Sequence, residues 1–77
     1  MNESIEVPYL ERKRQLNKKR NREIFISAAK DTFTKMGVDK SSIRQITKIT
    51  NLGSGTFYNY FRNKNSIFVV INERFVQ

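Results

Sequence analysis

The sequence contains no cysteine, no histidine, one proline and three glycines. Without cysteine there is no disulfide framework and no thiolate metal site to supplement a small core. Without histidine, the commonest general acid/base and the commonest metal ligand are both missing. Acids are scarce too: the seven Asp and Glu are scattered, with no pair at a spacing suited to carboxylate catalysis. Gly53-Ser54-Gly55 is too short to form a phosphate-cradling loop. No enzyme, cofactor or metal is therefore expected. The longest aliphatic-aromatic run, Ile67 to Ile71, falls far short of the ~20 apolar residues that a membrane span needs. The first residues show no apolar signal region. A cytoplasmic protein without a membrane partner is the expectation. Repeats, Gly/Ser-rich linkers and strand alternation between hairpin signals are also lacking, which leaves an all-α chain.

What the sequence does have is positive charge. Fifteen Lys and Arg against seven acids give a net charge of +8 on 77 residues. A chain of this length forms one small domain, burying only about 60% of the surface its unfolded form exposes. A phosphate polyanion is the natural partner of such an excess, and an anionic lipid surface is the competing one. The charge is unevenly placed. Between Arg12 and Arg22 stand seven basic residues and no acid, so this segment holds +7 of the net +8. Residues 1–17 lack a convincing helical period and are interrupted by Pro8. They are read as a flexible basic N-terminal arm, with a folded domain over 18–77.

Within that domain the apolar spacing becomes helical. Phe25, Ala28, Ala29, Thr32, Phe33 and Met36 recur at three and four residues, predicting a helix from about Arg22 to Met36 with one buried stripe. Gly37 suits the left-handed position that ends a helix. Ser41 or Ser42 then caps a second helix, and Gln45 stands three residues after Ser42, as a capping box requires. Ile43, Ile46 and either Ile49 or Thr50 face inward. Asn51 tolerates the left-handed backbone a tight turn needs. A third helix runs from Gly53 or Ser54 to Phe61. A fourth, capped by Asn63, starts at Lys64 and carries Ile67, Ile71 and Phe75.

Two short helices around a tight turn form a helix-turn-helix, a motif that sets its second helix in the major groove of DNA. On a helical wheel Phe57 and Phe61 share one face and should be core. Gly55, Asn59 and Arg62 lie roughly opposite, flanked by Thr56 and Tyr58, so the outward face is small, polar and basic. Tyr60 falls at the edge of the buried face, where a half-buried core role competes with a groove-facing one. A phosphate shared by Lys64 and nearby backbone N–H groups would offset the cost of a cation at a helix N-terminus.

These pieces resemble the N-terminal DNA-binding domain of TetR-family (tetracycline-repressor-type) transcriptional regulators. The resemblance is carried by Ala28-Ala29, Phe33, Gly37, Ser42-Ile43-Arg44-Gln45-Ile46, Gly55-Thr56-Phe57-Tyr58-Asn59-Tyr60-Phe61 and Lys64, within residues 22–68. It implies a three-helix, homeodomain-like helix-turn-helix bundle plus the start of a fourth helix. It also implies sequence-specific binding of double-stranded DNA at an inverted-repeat operator, as part of a repressor. Ser42 and Tyr58 would then touch phosphates, Arg44 a base or phosphate, and Lys64 the DNA backbone. Ser54, Gly55, Thr56, Asn59 and Tyr60 would face the groove. Members of the family usually have Gly where Asn51 stands, a capping Ser where Gly53 stands, and small apolar residues where Thr47 and Thr50 stand. They continue into a larger C-terminal domain that forms a homodimer and binds a small-molecule effector, so this chain is read as a fragment lacking that part. The alternative is a basic membrane-surface or protein-interaction module built on the arm and the apolar fourth helix.

Overall fold

The structure is a computed structural model that describes residues 3–75, with side chains described from residue 9 onward. The ends of the expected arm and domain at Met1-Asn2 and Val76-Gln77 lie outside the described residues. Among those described there are four helices and no strand: α1 Glu3–Met36, α2 Ile43–Thr50, α3 Ser54–Tyr58 and α4 Lys64–Phe75. The expected all-α helix-turn-helix bundle with a fourth helix is the fold observed.

The helix termini follow from local chemistry. Gly37 ends α1 with φ of +83°, and its N–H bonds the Phe33 carbonyl at 2.8 Å. A residue with Cβ would be strained in that conformation. Ser42 begins α2 with a complete capping box: the Gln45 N–H donates to Ser42 Oγ at 3.1 Å, and the Ser42 N–H donates to Gln45 Oε1 at 2.9 Å. Asn51 closes α2 with φ of 64°, in the left-handed region. Asn63 Oδ1 accepts the Ser66 N–H at 2.9 Å, capping α4 as expected.

The core is made where α1 meets the other three helices. Phe25, Ile26, Ala28, Ala29 and Phe33 of α1 pack with Ile46, Phe57, Phe61, Ile67 and Ile71. Phe25 meets Phe57 edge-on with ring centroids 5.3 Å apart, and Phe33 meets Phe68 at 5.9 Å. Aromatic pairs favour such edge-to-face geometry over face-to-face stacking. Glu23 and Arg74 form an ion pair that joins α1 to α4 on the surface.

Several expectations are corrected. α1 does not begin near Arg22 but runs unbroken from Glu3, through Pro8 and the segment read as an arm. Residues 9–20 are all exposed, so no apolar period was there to reveal the helix. Its local support is intrinsic propensity, since Leu, Glu, Arg, Lys and Gln dominate, together with continuity into the packed turns that follow. Ile26, outside the expected stripe, is buried, because α1 packs on more than one partner helix. Met36 and Ile49, both considered for the core, are 40% and 59% exposed, and Thr50 is the partly buried alternative. α3 ends at Tyr58, three residues short of Phe61. There the chain tightens, with Asn59 N–H bonding the Thr56 carbonyl and the N–H groups of both Tyr60 and Phe61 sharing that of Phe57.

Candidate nucleic-acid interface

α3 is the smallest element and the most divided. Phe57 is fully buried and Phe61, just beyond the helix, is 5% exposed, while Tyr58 between them is 55% exposed. Ser54, Gly55 and Asn59 are also exposed, and Thr56 is intermediate. The helix is thus pinned to α1 by aromatic rings on one side and presents a small, polar surface on the other. Gly53 supplies no side-chain hydrogen bond to the helix start, so the missing serine cap is a real loss here. The ring contacts of Phe57 with Phe25 and Phe61 hold the short helix instead.

Tyr60 is placed between the two roles considered for it. It is partly buried, and its ring lies 5.9 Å from that of Phe25, against the core cluster. Lys64 is likewise half-buried and already engaged. Its Nζ donates to the Ser41 carbonyl at 3.0 Å and approaches that of Asp39 at 3.5 Å. An ammonium has three donors, so one remains for a phosphate. Ser42 is exposed, and its hydroxyl and N–H are both used by the capping box.

α2 contributes the basic side. Arg44 and Lys48 are both exposed and stand four residues apart, which puts them on one helix face. They line an open recess at the turn with Thr47, Asn51, Leu52, Gly53 and Ser54. Arg44 and Ser54, singled out separately in the sequence, therefore meet at one site. Lys48 joins them and was missed, although its spacing from Arg44 was the available signal. Thr47 and Thr50 do not leave polar atoms stranded. Thr47 Oγ1 donates to the Arg44 carbonyl at 3.0 Å, and Thr50 Oγ1 donates to that of Thr47 at 2.8 Å while accepting the Leu52 N–H at 3.0 Å.

The hydrogen bond from Arg74 holds the Glu23 carboxyl below the usual carboxylate range, with Arg22 and Lys19 adding to the effect. Arg22 itself lies over the Phe61 ring, 5.4 Å from its centroid. Among the described residues no group of acids could hold a metal ion, and no helix is long and apolar enough to cross a membrane.

This geometry joins a capped α2, a left-handed Asn51 and an aromatic-pinned α3, and residues 25–71 match the family described as bacterial regulatory proteins, tetR family. The chain belongs to the TetR family. It is 32% identical over 47 residues to the uncharacterized HTH-type transcriptional regulator YhgD of Bacillus subtilis (strain 168), covering 61% of this chain and 25% of that protein. A second relative, the uncharacterized HTH-type transcriptional regulator YvdT of the same organism, is 39% identical over 51 residues, covering 66% of this chain and 26% of that protein. The chain spans about a quarter of the length of these curated relatives. No solved structure matches it significantly. As a TetR-family helix-turn-helix domain it is a DNA-binding module of transcription regulation.

Proposed function

We propose that this domain reads an operator for a transcriptional repressor, by inserting α3 into the major groove of double-stranded DNA. The observation that carries the reading is the division of α3 between buried Phe57 and exposed Tyr58 and Gly55, with exposed Asn59 just past its end. A reading helix must be held rigidly by one face and offer small polar groups on the other. In this account Gly55 lets the backbone approach the groove, and Ser54, Thr56 and Asn59 meet base edges. Tyr58 gives its hydroxyl to a phosphate, and Ser42 turns its hydroxyl proton from Gln45 Oε1 to another while its oxygen still accepts the Gln45 N–H. Arg44 reaches a base or phosphate, and Lys64 turns its remaining N–H to the DNA backbone. Tyr60 contributes its hydroxyl at the groove edge while its ring stays against Phe25. The role is binding rather than catalysis, and it is exercised in the cytoplasm.

One copy covers one half-site. The parent protein pairs two such domains as a homodimer, reads an inverted repeat, and responds to a small molecule through its remaining residues. Selection from a random duplex library with a dimerised form of the domain tests the reading. An enriched inverted repeat, and affinity that falls steeply with salt, are expected. The absence of any enriched sequence, or strong binding to anionic vesicles with none to duplex, would overturn it.

A further inference from the structure

The recognition surface leaves most of the basic charge unexplained, since +7 of the net +8 lies between Arg12 and Arg22. The unbroken α1 gives that charge a geometry. At 100° per residue, Lys18 falls within about 20° of both Phe25 and Ala29 around the helix. Arg14, Lys18 and Arg22 therefore continue the row that, further along α1, is buried in the core. That row is the one that faces α3. Phe25 packs on Phe57 and Tyr60, and Arg22 lies over the Phe61 ring. Past Arg22 there is no α3 left to cover the row, and Arg14 and Lys18 are exposed. They overhang α3 by roughly 6 to 12 Å along the axis at 1.5 Å per residue.

We propose that Arg14 and Lys18 form a second DNA contact, gripping the phosphate backbone that flanks the segment read by α3. The inference rests on the duplex-binding reading given above and adds a site to it. Three observations support it. The row points to the side of α1 where α3 lies, and α3 turns its polar face away from α1, so the overhang passes beside α3 toward the same ligand. Arg14, Lys18 and Arg22 stand at successive four-residue spacings, where like charges destabilise a helix unless an anion lies along them. Among the described residues neither Arg14 nor Lys18 makes an ion pair. Duplex DNA carries a charge every ~1.7 Å along its axis, denser than the one per ~6 Å of this row, so each cation can find a phosphate, which a lone protein carboxylate does not offer.

The helix supplies its own control. Lys13 and Arg20 are equally exposed but lie about 140° to 160° around α1 from Lys18. Replacing Arg14 and Lys18 together by Ala removes the same charge as replacing Lys13 and Arg20 together, and Ala preserves helix in both cases. Duplex affinity is measured for the full 77-residue chain and both double variants, as a function of salt, on a duplex with long flanks. For Arg14→Ala with Lys18→Ala, the slope of log affinity against log salt is expected to fall by about 2. For Lys13→Ala with Arg20→Ala it should stay near the parent value. The lysine variant Arg14→Lys should retain the parent slope. Equal slopes for the two double variants would overturn the second contact while leaving the operator reading intact. A parent chain that binds no duplex would overturn both.

Discussion

Lys64, the first residue of α4, donates from Nζ to the carbonyl of Ser41 at 3.0 Å. Ser41 is 4% exposed and directly precedes Ser42, the cap of α2. The start of the fourth helix is thereby tied to the start of the second across 23 residues of sequence. Family resemblance suggested only that this lysine meets DNA. The hydrogen bond gives it a role within the fold as well.

The first prediction concerns that tie. Lys64→Met keeps the stem but removes the donor, leaving the Ser41 carbonyl without it. Folding stability should fall by about 1–2 kcal/mol, the range for losing a charge-assisted bond to a part-buried acceptor. Urea denaturation in the absence of DNA checks this. Unchanged stability would mean that the ammonium serves the ligand alone.

The capping box gives the second. Ser42→Ala should cost about 1 kcal/mol. Because Ser42 and Gln45 satisfy one another reciprocally, Ser42→Ala combined with Gln45→Ala should cost less than the sum of the two. Denaturation of the two single variants and the double variant closes that cycle.

A third follows from Glu23. Its carboxyl titrates below its unfolded value because Arg74 hydrogen-bonds the charged form. Its contribution is present in full above the unfolded pKa, and is lost as pH falls through the lowered folded pKa. Both partners are exposed, so the effect is small and weakens with salt. Thermal unfolding followed from neutral to acid pH should therefore show a shallower acid loss for Glu23→Gln than for the parent chain.

The neighbours Phe57 and Tyr58 give the fourth. Phe57 is fully buried and Tyr58 is 55% exposed, although their rings are 5.5 Å apart. Phe57→Ala should cost about 3–5 kcal/mol of stability, a large share of what so small a domain has. Tyr58→Ala should leave the fold standing, with at most about 1 kcal/mol of loss from the ring contact, and should weaken duplex binding instead. Thermal unfolding and duplex titration on the same samples separate the two.

What the sequence disclosed and what it hid divide along range. Gly37, Asn51, the Ser42-Gln45 box and the Asn63 cap were legible because each is decided within a few residues by backbone geometry or one short hydrogen bond. The split of Phe57 and Phe61 from Tyr58 was legible because it needs only the helical period. The length of α1 was hidden, since its residues 9–20 are exposed all round and carry no apolar stripe. Ile26 was hidden because a helix packed on several partners buries more than one row. The grip of Lys64 on Ser41 and the pairing of Glu23 with Arg74 join residues 23 and 51 apart, and no local pattern encodes either. At the candidate interface the outward placement of Gly55, Tyr58 and Asn59 was legible from the helical period. The assembly of one recess, with Lys48 beside Arg44 and Ser54, required the turn to be built.

On the proposed reading, the exposed side of α3, with the start of α2, is the surface that meets duplex DNA. Backbone amide shifts recorded while the chain is titrated with a duplex containing its selected sequence test this most directly. The largest changes are expected to cluster at Ser42 to Arg44, Ser54 to Tyr60 and Lys64, and to weaken together as salt is raised. Changes confined to the second half of α4, toward Phe75, or to the recess that Met36 and Ile49 line between α1 and α2, would contradict it.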